Sequence, residues 1–231
     1  MFSKESIIGS LTNPQRISDT FKSSGRKEIS TPTIAEYLTY LQDVGLISKA
    51  ERYDVKGRKY IPTPVKYYYT DTGLRNVLVR FRQYEETHLM ENVIYNELLY
   101  RGYSVDVGVV PVRTTENGLR VKRKLEIDFV ANKGSKRYYL QSAFAIPDQA
   151  KMNQEQESLV HVPDSFKKII ITSTKSPLWR NEQGITIMSI YDFLLNDNSL
   201  ESCLSKMCDA VAQIMRLAQQ GQIIERPGDI A

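Results

Sequence analysis

Two short apolar segments, residues 125–130 and 138–143, constrain the fold of this chain more than any other feature of its sequence. Both contain aromatic or β-branched residues, and a basic turn with a glycine separates them. Such segments predict two neighbouring β-strands joined by a tight turn. Asp128 lies in the first predicted strand and Gln141 in the second, so two side chains with oxygen atoms are expected on adjacent strands.

The region around these strands has the pattern of a mixed α/β domain. A helix is predicted at 87–101, because apolar residues recur at helical spacing there and Gly102 follows. Turn-forming residues separate the later segments. The remaining expected elements are strands at 104–112, 124–131, 137–145, 168–172 and 184–189 and helices at 148–160 and 190–195. The predicted fold class is therefore α/β, with helices and strands mixed along the chain.

The first 80 residues predict helices followed by a β-hairpin. Two short helices are expected, the second beginning near Asn13 and Pro14, and a third is capped by Ser30 or Thr31. The apolar stripe of this third helix consists of Ile34, Leu38, Leu41 and Val44. A hairpin with its turn at 55–58 follows, and its tip carries Lys56, Arg58 and Lys59. Three helices and a basic hairpin are typical of a winged helix.

A winged helix can bind DNA by placing its third helix in the major groove and its hairpin along the backbone. The candidate DNA-binding residues are the basic tip of the hairpin and two tyrosines on the exposed face of the third helix, that is, Lys56, Arg58, Lys59, Tyr37 and Tyr40. Winged helices also serve as protein-docking or spacer modules. A protein partner is therefore as strong an expectation as DNA.

A strand with three consecutive tyrosines, Tyr67 to Tyr69, is expected to close this first domain. Aromatic residues in such a strand are more often packed in the core than stacked on bases. A tight turn is predicted after this strand, and residues 75–86 are expected to bridge to the next domain. The predicted organisation is a winged helix at 1–80, an α/β domain at 81–196 and a C-terminal helix with a flexible tail at 197–231.

Hydropathy excludes a membrane-spanning helix and favours a cytoplasmic protein. No apolar run reaches the roughly 18 residues that a span needs, and the first residues lack the pattern of a secretory signal. Residues 1–85 contain 14 Lys and Arg against 9 Asp and Glu, whereas the remainder contains 17 against 18. The basic excess lies in the N-terminal part. From charge alone, contact of this part with phosphates and an ordinary solvated basic surface are equally expected.

The C-terminal segment predicts one more helix, at 199–220, with a narrow apolar seam. The seam consists of Leu200, Leu204, Met207, Val211, Ile214 and Ala218. Packing of this seam on the domain is the first expectation, and a homo-oligomer contact is the second. Cys203 and Cys208 lie in the same helix, at a spacing that suits neither a disulfide framework nor a zinc site.

Residues 87–195 resemble the PD-(D/E)XK nuclease-like superfamily, in the form found at the C-terminus of a group of prokaryotic AAA+ family ATPases. The resemblance is carried by residues 90–98, 126–130 and 139–143. Residues 53–60 and 64–76 are similar to the segment that joins the ATPase module to this domain. The resemblance implies a restriction-endonuclease-like sheet flanked by helices. No Gly-x-x-x-x-Gly-Lys-Ser/Thr phosphate loop is present, so the ATPase module is missing from this sequence.

The resemblance also implies a catalytic and metal-binding site. It places Asp128 at the first metal ligand, Gln141 at the second acidic position and Ala143 where the superfamily has a lysine. Glu91 or Glu97 would approach from the preceding helix, and Mg²⁺ or Mn²⁺ would be the metal. Glutamine brings no charge to a cation, and alanine supplies neither a base nor a positive charge. The lysines considered as substitutes are Lys124, Lys133 and Lys136.

These observations favour a recognition module of an AAA+ ATPase that binds DNA or a protein and whose nuclease-like domain is degenerate and inactive. One alternative is an Mg²⁺- or Mn²⁺-dependent nuclease that uses Asp128 and Gln141. The other is a protein-interaction scaffold, with the apolar seam of the last helix as its contact surface. The expected partners are DNA, the ATPase module of the same full-length protein and a second copy of the chain, and no membrane.

Overall fold

The computed structural model describes residues 9–25, 28–78, 80–81, 85–116 and 119–201. Within these ranges the chain forms one eight-stranded mixed sheet with helices packed on it. The predicted α/β fold class is confirmed. The finer assignments, a winged helix and a restriction-endonuclease-like core, stay predictions.

The helices and strands follow the predicted order along most of the chain. The helices are α1 (Pro14–Ser23), α2 (Thr31–Asp43), α3 (Thr72–Leu78), α4 (Glu86–Tyr100), α5 (Gln149–Val160) and α6 (Ile190–Leu195). The strands are β1 (Ile47–Asp54), β2 (Lys59–Tyr69), β3 (Ser104–Glu116), β4 (Leu119–Lys133), β5 (Lys136–Ala143), β6 (Lys167–Thr172), β7 (Trp179–Arg180) and β8 (Thr186–Ser189).

The sheet has the strand order β2-β1-β3-β4-β5-β6-β8-β7. The N-terminal hairpin of β1 and β2 joins it through parallel pairing of β1 with β3, in which Arg52 lies opposite Val107. Strands β3, β4 and β5 are antiparallel neighbours, and β5, β6 and β8 are parallel. The sheet is therefore continuous across residue 80, where the sequence predicts a domain boundary.

Both faces of the sheet are covered by apolar side chains. On one face, Ile94 and Leu98 of α4 belong to the same buried cluster as Phe129, Leu140 and Ile169. On the other face, Leu159 of α5 belongs to a second cluster, which contains Ile127, Val130, Tyr139, Ala143 and Ile170. This alternation along β4, β5 and β6 is what strands buried on both faces require.

A β-bulge in β4 interrupts this alternation at Asp128 and Phe129. The register shifts between Asp106 and Gly108 of β3, so these two residues of β4 lie opposite a single residue. Asp128 and Phe129 therefore both turn toward the α4 face. Gly108 permits this arrangement, because a Cβ there would lie 2.9 Å from the Cβ of Ile127 and 2.9 Å from Cγ2 of Val130.

The N-terminal region departs from the predictions in two places. The apolar stripe of α2 is buried at Ile34, but Leu41 is 38% exposed and Val44 is 68% exposed, so the expected burial of the whole stripe is wrong. Part of the predicted bridge is helical, because α3 begins at Thr72 and the Asp71 carboxylate accepts a hydrogen bond from its backbone. The expectation that tyrosines of β2 pack in the core is confirmed by Tyr67 and Tyr68, which are buried.

Several predicted features lie outside the described residues. They are the first N-terminal helix around residues 7–8, the C-terminal helix and its seam from residue 202 onward, the two cysteines and the tail. In the part of the chain that the structure does describe, no helix is long and apolar enough to cross a membrane.

Candidate functional site

A lysine and three carboxylates meet under α4, between the N-terminal hairpin and β4. The Nζ atom of Lys66 lies 2.9 Å from Oε1 of Glu91, 2.8 Å from Oε1 of Glu126 and 3.6 Å from Oδ1 of Asp128. We call these four residues the Lys66 cluster. The Lys66 side chain is only 5% exposed, so its charge is compensated by the protein rather than by water.

Each member of the cluster is placed by a different feature of the fold. Lys66 lies on β2, between the buried residues Val65 and Tyr67. Glu91 is in the second turn of α4, which packs on the same face of the sheet. Glu126 and Asp128 are on β4, and the bulge keeps Asp128 on that face.

Further hydrogen bonds fix the carboxylates. The hydroxyl of Tyr68 donates to Oε1 of Glu91 at 2.7 Å, so this oxygen binds both Lys66 and a tyrosine. The backbone N–H of Ser142 donates to Oδ2 of Asp128 at 2.8 Å. Buried carboxylates with such partners are held in one orientation, which makes the cluster rigid.

The charges in the cluster do not balance at neutral pH. Burial raises the pKa of Asp128 to about 7, and the neighbouring Glu91 adds to the rise, while Lys66 and the Ser142 N–H oppose it. Burial alone would lower the pKa of Lys66, but the three carboxylates outweigh it and raise that pKa above its ordinary value. Burial, followed by Glu91, raises the pKa of Tyr68 well above its ordinary value. Lys66 therefore stays charged, while burial and the neighbouring Glu91 favour the protonated form of Asp128.

The structure brings together two of the four residues predicted for a catalytic site. Asp128 and Glu91 both contact Lys66. Glu97 does not join them, because its Oε1 lies 2.7 Å from Nε of Arg101 in an ion pair at the C-terminal end of α4. The side chain of Gln141 forms no ion pair or hydrogen bond with Lys66 among the described contacts, and its Oε1 lies 3.4 Å from the backbone nitrogen of Asp128.

Ala143 lies on the face of the sheet opposite α4. It is buried in the second cluster with Ile127 and Ile170. A lysine at this position would therefore point into an apolar core rather than toward Asp128.

The sequence did not single out Lys66, and none of the lysines considered as substitutes enters the cluster. Lys133 donates to the backbone of Arg101, Lys136 pairs with Glu201, and Lys124 is exposed on β4. A signal for Lys66 does exist in the sequence. It interrupts an apolar strand, and a lysine in a buried strand requires carboxylate partners.

The cluster does not suit a divalent metal ion as it stands. The ammonium of Lys66 already lies among the carboxylate oxygens that a cation would need. Across the described ranges, no group of three or more His, Cys, Asp and Glu side chains is arranged to hold a metal. The Mg²⁺ expected from the sequence resemblance therefore has no matching set of ligands in these residues.

The predicted DNA-binding residues are all on the surface. The carboxylate of Asp54 accepts hydrogen bonds from the N–H groups of Lys56 and Gly57 and fixes the hairpin turn. Arg58 and Lys59 are exposed beside it. On α2, Tyr37 is 54% exposed and Tyr40 is 52% exposed.

Two comparisons with known proteins give matches. A family described as a domain of unknown function (DUF8612) matches residues 5–85, which include α1, α2, β1, β2 and α3. An uncharacterized protein of Haemophilus influenzae is 37% identical over 188 residues, which are 81% of this chain and 43% of that protein. The chain thus spans less than half the length of this relative. No solved structure matches the chain.

Proposed function

We propose that this chain is the recognition module of a cytoplasmic AAA+ family ATPase. In this proposal a winged helix at 1–80 binds DNA, and a PD-(D/E)XK nuclease-like domain at 81–196 has lost hydrolytic activity. The ATPase module would belong to the same full-length protein. The length of the Haemophilus relative, which extends well beyond the matched region, is compatible with an additional module.

The Lys66 cluster is the observation that carries the proposal. Metal-dependent hydrolysis of a phosphodiester needs carboxylates that are free to hold a cation beside the substrate. Here Glu91, Glu126 and Asp128 share the ammonium of Lys66 instead. Three of the four side chains are nearly buried, with exposures of 5%, 9% and 12% for Lys66, Glu91 and Asp128. A substrate phosphate would have to displace this internal ion pair.

DNA is the partner that the surface charges favour. The hairpin turn presents Lys56, Arg58 and Lys59, and helix α2 exposes Tyr37 and Tyr40. Cationic side chains on a turn contact phosphates without reading sequence, and tyrosines can approach bases or sugars. The homo-oligomer contact expected from the predicted C-terminal helix is compatible with this role, but that segment lies outside the described residues.

The test is a binding titration with labelled duplex DNA at low salt, followed by fluorescence anisotropy. The variant Lys56→Gln/Arg58→Gln/Lys59→Gln is expected to bind more weakly and with a smaller dependence on salt. The matched control is Lys133→Gln/Lys175→Gln/Arg180→Gln, which removes the same charge from exposed positions elsewhere. Absence of binding by the wild-type chain to DNA at low salt would contradict the proposal.

A second candidate is a nuclease, and the convergence of Glu91 and Asp128 around Lys66 favours it. In this alternative Lys66 replaces the lysine that is absent at position 143. Purified protein is incubated with DNA and RNA in the presence of Mg²⁺ or Mn²⁺. Cleavage by the wild type that disappears in both Asp128→Ala and Lys66→Met, while circular dichroism shows that both variants are folded at the assay temperature, would support the nuclease, whereas cleavage unchanged in these variants would identify a contaminant.

A further inference from the structure

The long strands β3 and β4 extend beyond the rest of the sheet as a two-stranded ribbon. In this ribbon, residues 111–116 pair with residues 119–124 from Pro111 opposite Lys124 to Glu116 opposite Leu119. Among the described residues, β1 pairs with β3 only as far as Val109, and β5 pairs with β4 only from Phe129 onward. We call residues 111–116 and 119–124 the basic ribbon.

One face of the basic ribbon carries four cations. Residues directly opposite each other, and residues two positions apart, lie on the same face of an antiparallel pair. The pairs Arg113 with Lys122, Thr115 with Arg120 and Pro111 with Lys124 therefore share a face. All four basic side chains are exposed, and none of them forms an ion pair within the described part of the chain.

This arrangement weakens the ribbon itself. Like charges directly opposite each other on a sheet are destabilising, and Arg113 lies directly opposite Lys122. Residues 113–124 contain five basic residues, counting Lys and Arg together, and one Glu. The net charge of this segment, +4, therefore equals that of the whole chain. A cationic face that opposes folding indicates selection for an anionic partner.

The ribbon is continuous with the tip of the N-terminal hairpin. The Nζ atom of Lys56 lies 2.9 Å from the carbonyl oxygen of Pro111, at the base of the ribbon. The N–H of Val55 donates to the carbonyl of Val109 at 3.0 Å. The cations of the hairpin tip and those of the ribbon therefore lie on neighbouring parts of the surface.

We propose that the basic face of the ribbon binds the phosphates of duplex DNA, an inference that rests on the proposed DNA-binding function and names its main contact surface. Side chains two residues apart on a strand are separated by roughly 7 Å, which gives a regular array of charges. A two-stranded ribbon is also narrow enough to enter the major groove, which is about 12 Å wide.

The composition of the face favours DNA over an acidic protein. Protein interfaces bury a central apolar patch within a polar rim. Besides its four cations, the basic face of the ribbon contains only Pro111 and Thr115, and Thr115 is exposed and polar. Binding through phosphates needs no such apolar centre.

The experiment compares Arg120→Gln/Lys122→Gln with the control Lys175→Gln/Arg180→Gln in the full 231-residue chain. The control removes the same charge near β7, an edge strand that is separated from β4 by β5, β6 and β8. The probe is a labelled duplex of about 20 base pairs, titrated at several salt concentrations. Each lost phosphate contact lowers the slope of log K against log salt by about 0.9, so we expect a slope reduced by about 1.8 and binding weakened at least about tenfold.

Arg123→Gln and Lys122→Gln provide a second matched pair. The two residues are adjacent and both exposed, but they lie on opposite faces of the ribbon. The proposal predicts that Lys122→Gln weakens binding more than Arg123→Gln. Thermal melting of each variant checks that folding is unchanged.

Three results would overturn the ribbon proposal. Equal losses in the ribbon variant and the β7 control would show that only net charge matters. If the ribbon variant binds DNA as the wild type does while the Lys56, Arg58 and Lys59 variant loses affinity, the chain binds DNA without using the ribbon. Equal binding to polyglutamate, lost in the same ribbon variant, would assign the face to an acidic protein. Absence of DNA binding by the wild type would contradict the proposed function itself.

Discussion

Lys66→Met is expected to destabilise the protein strongly, because it removes the cation that Glu91, Glu126 and Asp128 share. Methionine has a similar length and no charge, so the volume of the site is nearly preserved. Removing one partner of a buried ion pair costs about 3–5 kcal/mol. In a chain of this size each kcal/mol lowers the melting temperature by about 2–4 °C, so the expected fall is about 6–20 °C.

The loss of stability in this variant should depend on pH. Burial raises the pKa of Asp128 and Lys66 opposes that rise, so without Lys66 the pKa moves further above its ordinary value of 3.8. A carboxyl whose pKa is raised by folding contributes stability that is complete below its unfolded pKa and is lost as the pH rises through its folded pKa. The destabilisation by Lys66→Met is therefore smaller at pH 5 than at pH 8.

Urea denaturation at pH 5 and pH 8, followed by circular dichroism, measures both effects. The control is Lys49→Met on β1, where Nζ of Lys49 lies 2.8 Å from Oε1 of Glu51 but both side chains are more than a third exposed. A surface pair of this kind contributes at most about 1 kcal/mol. A loss of stability at Lys66 no larger than at Lys49 would contradict a buried ion-pair cluster, and a loss equal at both pH values would contradict the raised pKa of Asp128.

Three further substitutions test the same structure. Asp128→Asn should stabilise the protein at pH 8. The pKa of Asp128, raised to about 7, makes the wild type lose stability between pH 4 and pH 7, so the free energy of unfolding of the variant should change less across this range. An equally steep pH dependence of the two proteins in urea titrations would contradict this. Gly108→Ala should cost about 1–3 kcal/mol, because the new Cβ overlaps Ile127 and Val130 at the bulge, and chemical denaturation measures the loss. Ala143→Lys should destabilise the folded protein by several kcal/mol, because its charge enters the apolar cluster on the face away from Asp128. The variant should not cleave DNA. A folded variant that cleaves DNA would show that position 143 faces the carboxylates.

Local patterns in the sequence were sufficient to predict most of the fold. Helix α6 agrees with the predicted bounds, and α4, α5 and β6 agree within about one residue, because periodicity and capping are local properties. The parallel pairing of β1 with β3 could not be predicted in this way, because it joins distant segments. Exposure of Leu41 and Val44 also depends on what packs beside α2, which helical spacing does not specify.

The candidate site was predictable in part. The resemblance placed Asp128 and Glu91 as candidates, and the structure joins them through Lys66. Lys66 itself was missed, because it lies in the N-terminal hairpin, outside the segment that resembles a nuclease. The orientation of Asp128 relative to Ala143 depends on the bulge at Gly108, whose register shift is visible only once β3 and β4 are paired.

Incubation of wild-type protein with labelled duplex DNA and Mg²⁺, with each sample run on a native and a denaturing gel, separates DNA binding from DNA cleavage. We expect retarded DNA on the native gel and the same DNA at full length on the denaturing gel. Shortened products that disappear in Asp128→Ala would contradict the loss of hydrolytic activity, and DNA that is not retarded at low salt would contradict DNA binding.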